Sequence, residues 1–200
     1  MSRRSRRVPV HLDASGVDTL SEADLKAVLR GADNLIGQGG RTLLMRILRG
    51  SRNKDVLERG LNESPVYGYF KNLSDEKTLA RIDWTILNGY LQIEYSHRLP
   101  LLVYTDKGWE IERENYADEL LEGIEQQLEN GPPFEMQYLK DRDRGMILLL
   151  LLDKIEATQD RKFIPALKAW QKVDYKKVRI RIGQAIHALE AARDQSRART

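Results

Sequence analysis

The 200-residue sequence contains no cysteine, which excludes disulfides, thiolate zinc sites and a cysteine nucleophile. That lack fits a reducing compartment, so the expected location is the cytoplasm, or the nucleoid in a bacterial cell. Only three histidines occur, His11, His97 and His187, and they lie too far apart to suggest metal ligation or general-base chemistry. Long apolar runs are also missing. The longest, Met146 to Leu152, has seven residues against the ~18 needed to cross a bilayer, and it reads as a helix buried within protein. No membrane partner is expected. The start of the chain has no apolar stretch of the secretory type, and Pro9 interrupts any helix there. What remains is enough for a core: hydrophobic residues make up 41%, sufficient for one domain with an extension or for two small domains.

A net excess of one charge is nearly absent too, since 33 Lys and Arg face 30 Asp and Glu. The balance conceals segregation along the chain. Arg3, Arg4, Arg6 and Arg7 stand in the first ten residues without an acid. Residues 41–60 carry a surplus of four positive charges, from Arg41, Arg46, Arg49, Arg52, Lys54 and Arg59 against Asp55 and Glu58. Residues 109–143 carry a surplus of eight negative charges, and 172–199 a surplus of five positive ones. Such segmentation suits a polyanion partner, and an ordinary solvated surface produces it as well.

Hydrophobic periodicity predicts three helices, then a hairpin, then helices only. Ser21 and Asp24 cap a helix through Leu25, Val28 and Leu29. Arg41 to Arg49 forms a second, and Gly50-Ser51-Arg52-Asn53 stops it and caps the next turn. Ser74 caps a helix over Asp75 to Asn88, with Leu79, Ile82 and Ile86 inward and Lys77, Arg81, Trp84 and Asn88 on the opposite side. After Gly89, Leu91, Ile93 and Tyr95 alternate with polar residues. A turn at Ser96-His97-Arg98 leads to Leu101–Thr105, and Asp106-Lys107-Gly108 closes the hairpin. Three helices and a hairpin are the layout of a winged helix-turn-helix, the hairpin being the wing. Tyr116, Leu120, Ile124 and Leu128 mark a further helix, ended at Asn130-Gly131-Pro132-Pro133. Helices over roughly 139–156, 160–171 and 174–192 follow, the last two patterned like a single HEAT-type repeat.

The first half also carries an ordered string of short motifs. These are Gly40-Arg41, Leu48-Arg49-Gly50-Ser51, Asn53, Gly60, Tyr67-Gly68, Lys71, Leu73-Ser74, Gly89-Tyr90-Leu91, Pro100 and Tyr104-Thr105-Asp106-Lys107-Gly108. Over residues 20–112 this string resembles the RQC domain, the winged helix that follows the motor of RecQ-type DNA helicases. Nothing of a helicase motor stands before it in this sequence, so it resembles in particular the stand-alone RQC-minor type of DNA-binding protein, and a stand-alone domain is the expectation. Gly37-Gln38-Gly39-Gly40-Arg41-Thr42 lacks the lysine, the spacing and the preceding strand of a nucleotide-binding loop. An acidic helicase box is absent, and the zinc cysteines that accompany many RQC domains cannot exist here. The expectation is a protein that binds without catalysis, with no cofactor and no metal.

The resemblance implies phosphate contacts from Arg49, Ser51, Arg52, Asn53 and Lys54, and from Lys71, Asn72 and Ser74 at the next helix start. A helix N-terminus with flanking cations suits phosphate on general grounds. Asp55 departs from the basic pattern of relatives at that place. The wing is short where some relatives carry an aromatic tip; Tyr95 and His97 are candidates for stacking on a base and Arg98 for entering a groove. Lys77 and Arg81, with Trp84 and Asn88, form a candidate groove-reading face, or else a face packed against neighbouring protein. Asp141 and Asp143, and Glu110, Glu112 and Glu114, read as solvated helix surface.

The expected fold is thus mainly α with a small β-hairpin: a basic flexible tail at 1–19, a winged-helix domain at 20–112 and a C-terminal helical module at 113–200. The expected partner is double-stranded or junction DNA, in repair or recombination, with a repair helicase or nuclease as a possible protein partner. Two alternatives stand beside it: a sequence-specific transcription regulator using the Lys77–Asn88 face, and a scaffold whose helical module recruits a repair enzyme.

Overall fold

A computed structural model describes residues 7–140 and 145–197, with side chains in the last helix up to Ala191. Arg3, Arg4 and Arg6 of the basic start, Asp141 and Asp143 of the acidic stretch, and the side chains of Arg193, Arg197 and Arg199 lie outside the described residues. The chain divides into two compact units, residues 1–112 and 113–200.

In the first unit, helices α1 (Glu22–Ala32), α2 (Arg41–Arg49), α3 (Lys54–Glu58) and α4 (Asp75–Leu87) precede strands β1 (Leu91–Ser96) and β2 (Leu99–Tyr104). The strands pair antiparallel, Leu91 opposite Tyr104 and Ser96 opposite Leu99, so His97 and Arg98 alone make the turn. His97 adopts φ 55°, a left-handed backbone in which a two-residue hairpin connection places at least one residue. Val28, Leu29, Leu35, Leu44, Ile47, Leu48, Ile82, Leu91 and Leu102 form one apolar core from the helices and the inner faces of both strands. This is the winged helix that the periodicity predicts.

Three details differ from the sequence expectation. Asp106-Lys107-Gly108 does not close the hairpin but opens α5, which runs from Asp106 to Asn130. Thr105 starts that helix: its hydroxyl accepts the Gly108 N–H at 3.1 Å and its carbonyl accepts the Trp109 N–H at 2.9 Å. In α4 the fully buried positions are Thr78, Ala80, Ile82, Asp83 and Thr85, whereas Leu79 and Ile86 are only half-buried. The polar members are accommodated by bonding: Thr78 and Thr85 donate to the carbonyls of Ser74 and Ile82, and Asp83 forms an ion pair with Arg41.

The third difference concerns residues 8–18, expected to belong to a flexible tail. The Val8 N–H donates to the Arg98 carbonyl at 3.1 Å, the Asp13 N–H to the Asp83 carboxylate at 2.9 Å, and the Trp84 indole N–H to the Asp18 carbonyl at 3.2 Å. The segment is a strap laid from the wing tip to α4.

Every regular element among the described residues of the second unit is helical: the remainder of α5, α6 (Gln137–Lys140), α7 (Gly145–Thr158), α8 (Ile164–Val173) and α9 (Lys176–Arg197). Its core gathers Ile147, Leu148, Leu151, Leu152, Ile155, Phe163, Leu167, Trp170, Ile182 and Leu189. The apolar run at 146–152 is therefore mostly core, with Met146 and Leu149 left exposed. Two of the acids expected to be solvated surface are not: Glu112, in the first unit, is fully buried with the Arg30 guanidinium at 3.9 Å, and Glu114 is paired. Lys154 reaches Asp118 at 2.7 Å and Glu114 at 2.9 Å, and these two carboxylates hold its pKa above the ordinary lysine value. Arg181 pairs with Glu156 and Asp153, which removes it from the freely available positive charge of residues 172–199. No described helix is long and apolar enough to cross a membrane.

Candidate nucleic-acid interface

The structure brings together the two loops that the sequence singles out. Gly50 ends α2 with φ 70°, and its N–H and that of Ser51 take up the carbonyls of Ile47 and Arg46 at 2.9 Å each. The chain returns at Gly68, φ 76°, whose N–H donates to the same Ile47 carbonyl at 2.9 Å, and Phe70 N–H donates to Leu48 at 2.7 Å. A Cβ added at Gly50 would meet the Gly68 Cα at 3.1 Å, so both the backbone conformation and the close approach require glycine. Residues 50–54 and 68–75 therefore form one surface.

Arg49 stitches that surface together rather than projecting from it. Its Nη1 donates to the Lys71 carbonyl at 2.6 Å and to the Phe70 carbonyl at 3.3 Å, and its Nε to the Asp75 carboxylate at 3.0 Å. Arg49→Ala is expected to lower stability by about 1–3 kcal/mol, since two carbonyls and a carboxylate lose a charged donor. Thermal unfolding reads this as a fall of several degrees in Tm. An unchanged Tm would show that the stitch carries no weight.

The caps are built as expected. Asn53 caps α3, its side chain accepting the Asp55 N–H at 3.0 Å, and the Ser51 hydroxyl accepts the Asn53 N–H at 3.3 Å. Ser74 caps α4 by accepting the Lys77 N–H at 3.2 Å. Each serine retains its own O–H as a donor. Around these caps stand exposed cations. Arg52, Lys71 and Lys77 are exposed, and their charged groups have no bonded partner among the described residues. Lys54 meets only Glu58, at 3.5 Å with both side chains largely in water, a pair that neutralises little. Asp55, the acidic departure, is offset by Arg46 at 3.3 Å. Asn72, between Lys71 and the cap, is exposed.

The wing presents less than the sequence suggests. The Tyr95 hydroxyl donates to the Val8 carbonyl at 2.9 Å, and the Arg7 guanidinium lies 4.8 Å from the Tyr95 ring centroid. His97 and Arg98 are exposed at the turn, and Leu99 beside them is 62% exposed, an apolar tip residue that the alternation did not single out. The α4 face is occupied by the chain itself. Arg81 lies 3.6 Å from the Asp24 carboxylate and 5.6 Å from the Phe70 ring centroid, while Trp84 stacks on Tyr90 at 5.9 Å beneath the Asp18 contact. The Asn88 amide donates back to the Trp84 carbonyl at 2.9 Å. Only Lys77 of that quartet offers a free charge. Near it, Tyr69 donates to Asp24 at 3.3 Å, and burial, reinforced by that carboxylate, pushes its phenol pKa up and keeps it neutral.

A family model, the RQC domain, matches residues 21–120, from the cap of α1 into α5. The chain belongs to the RQC domain family. Membership implies DNA binding in a RecQ-like context. No curated protein and no solved structure matches this chain.

Within this RQC domain, two clefts extend the basic surface toward the wing. One, of about 450 Å³, lies between the strap residues Val8–Val10, the start of α2 and Pro100 of the wing, with Arg41, Arg46 and Arg59 on its walls. The other, of about 400 Å³, shares Thr42 and Arg46 with it and reaches Arg49, Gly50 and Ser51. Arg46 and Arg59 thus join the wing to the 50–54 loop. Sequence reasoning counted both in the basic block but gave neither a role, because only the fold shows that they border the same clefts. Arg41 is different: its charge is committed to the buried Asp83. Among the described residues no group of three His, Asp or Glu stands close enough to hold a metal ion. What the arrangement offers chemically is hydrogen-bond donors and unneutralised positive charge along one face, suited to phosphate oxygens.

Proposed function

We propose that this RQC chain is a non-catalytic DNA-binding protein that grips the phosphate backbone and selects DNA by shape, favouring forks, junctions or ends over any base sequence. The observation that carries this reading is the joined surface of residues 50–54 and 68–75, where Arg52, Lys54 and Lys71, with Lys77 just beyond, keep charges that the described residues leave unneutralised apart from the weak Lys54–Glu58 pair. Phosphate contacts fix position and register without reading bases. The occupied α4 face argues against a sequence-specific regulator, since Arg81 and Trp84 are engaged by Asp24 and Asp18. The exposed Leu99 at a short wing suits an open end or branch, where an apolar side chain can cover an unstacked base pair. On this reading the protein serves repair or recombination and works beside a helicase or nuclease.

Fluorescence anisotropy over random duplexes, a fork, a four-way junction and single-stranded DNA tests the proposal. Duplexes of different sequence should bind within about threefold of one another, with the fork or junction tighter. A preference of a hundredfold or more for one duplex sequence would establish a regulator instead.

A further inference from the structure

All residues of the interface above belong to the first unit. The second unit has its own concentration of positive charge, at the turn between α8 and α9. We infer that this turn is a second nucleic-acid site, which takes an unpaired DNA strand by stacking a base on Tyr175 and holding phosphates with Lys172, Lys176, Lys177 and Arg179. The inference goes beyond the winged-helix grip and rests on the reading above for the class of ligand. Tyr175 is 66% exposed, and the Lys140 ammonium lies 5.1 Å from its ring centroid. Lys172, Lys176, Lys177 and Arg179 are exposed, and their charged groups make no hydrogen bond or ion pair among the described residues. Asp174 is the only acid between Arg161 and Leu189. It is buried, and its carboxylate is used within the fold: one oxygen accepts the Trp170 indole N–H and the other the Tyr175 N–H, each at 2.6 Å.

The turn holds this arrangement without a ligand. Besides the two bonds to Asp174, the Gln171 amide donates to the Arg179 carbonyl at 3.0 Å and ties the end of α8 to the first turn of α9. The Tyr175 ring is thus presented from a fixed backbone, and little ordering is left to be done on binding. The lysine pair does nothing for the helix that carries it. Lys176 and Lys177 stand in the first turn of α9, where cations oppose the macrodipole. The ligand class follows from the combination. Duplex DNA keeps its bases stacked and offers a lone tyrosine nothing to lie on. Every unpaired base exposes a face, and aromatic rings set among cations hold single strands without regard to sequence. A bilayer surface would need a broad apolar face. The outward stripe of α9, formed by Lys176, Lys177, Ile180, Gln184 and His187, contains one large apolar residue.

The test uses the full chain, with Kd measured at several salt concentrations for a labelled oligo(dT) strand of about 20 nucleotides and for a blunt duplex. Tyr175→Ala should weaken oligo(dT) binding by about five- to thirtyfold, leave its salt slope unchanged and leave duplex affinity within about twofold. Tyr175→Phe should retain most of the wild-type affinity, because the ring and not the hydroxyl does the stacking. The Lys172/Lys176/Lys177/Arg179→Ala variant should make the slope of log K against log salt on oligo(dT) shallower by about 2.8, at about 0.7 for each of four phosphate contacts. Thermal unfolding checks each variant. Should the quadruple variant not fold, Lys176→Ala/Lys177→Ala replaces it, with half the change of slope. Duplex binding by the wild type with oligo(dT) binding unchanged in every variant would overturn the second site and leave the winged-helix interface standing. A loss in the cation variant with none in Tyr175→Ala would overturn the stacking role, and with it the choice of an unpaired strand. Binding of oligo(dT) through Tyr175 without salt-sensitive duplex binding would instead overturn the winged-helix reading. Vesicles of phosphatidylcholine and phosphatidylserine form the last arm: binding to them through these residues, with none to oligo(dT), would make the turn a membrane contact and overturn the inference.

Discussion

Gly108→Ala is expected to destabilise the winged helix by about 3 kcal/mol or more, a severe effect for one methyl group. A Cβ at this position would fall 1.9 Å from the Tyr90 carbonyl oxygen and 2.8 Å from its carbon. The obstacle is backbone, not the movable end of a side chain, so relief means shifting the Gly89–Leu91 turn or the start of α5. Neither is free to move. The Tyr90 carbonyl accepts from the Thr105 N–H at 3.2 Å and from its hydroxyl at 3.1 Å, and Lys107 Nζ sits 3.8 Å from the Tyr90 ring centroid. Gly123→Ala is the matched control, in the same helix. Its Cβ would lie 3.7 Å from the Tyr138 hydroxyl, an ordinary contact, so the alanine should be neutral or stabilise by about 0.5–1 kcal/mol. Thermal melts should place Gly108→Ala about 10 °C below the wild type and Gly123→Ala at or slightly above it. Equal Tm values would mean that α5 does not begin against Tyr90 as described.

The second large effect is on binding. Changing Arg52, Lys54 and Lys71 together to Ala should weaken affinity for every duplex by about ten- to a hundredfold near 100 mM salt. All three are exposed, and among the described residues the only hydrogen bond or ion pair their charged groups make is the weak Lys54–Glu58 pair, so stability should move by no more than about 0.5 kcal/mol. This separates them from Arg49, whose loss acts on the fold through the carbonyls of Phe70 and Lys71. Sequence independence is part of the expectation: each duplex should weaken by the same factor. A loss confined to one sequence would mean that these side chains read bases.

Much of the winged helix was legible because its signals are local. The period of two over Leu91 to Tyr95, a turn around His97 and Arg98, and the caps at Ser21, Asn53 and Ser74 each follow from neighbouring residues, though the strands reach closer to the tip, to Ser96 and from Leu99, than the sequence suggests. The start of α5 was not legible for the opposite reason. Asp106 and Gly108 have the composition of a turn, and the demand for glycine comes from a carbonyl eighteen residues earlier. The juxtaposed loops were indicated only by the ordered motifs of the RQC domain, whereas the task of Arg49 depends on carbonyl groups, which leave no mark in a sequence. The strap was hidden in the same way. An arginine-rich start interrupted by proline reads as a tail, yet its anchors are the N–H and carbonyl of Val8 and the carbonyl of Asp18. Conversely, Tyr95, Arg81 and Trp84 looked available by type, and only the fold reveals that each already has a partner.

The central claim is that positive charge on the 50–54 and 68–75 surface holds DNA by its phosphates. Its most direct test is the slope of log K against log salt for the wild type and the Arg52/Lys54/Lys71→Ala variant on one duplex. Counterion release predicts two straight lines, the variant shallower by about 2.7 because three phosphate contacts are gone. Parallel lines, whatever their vertical separation, would contradict the assignment of these residues to the phosphate backbone.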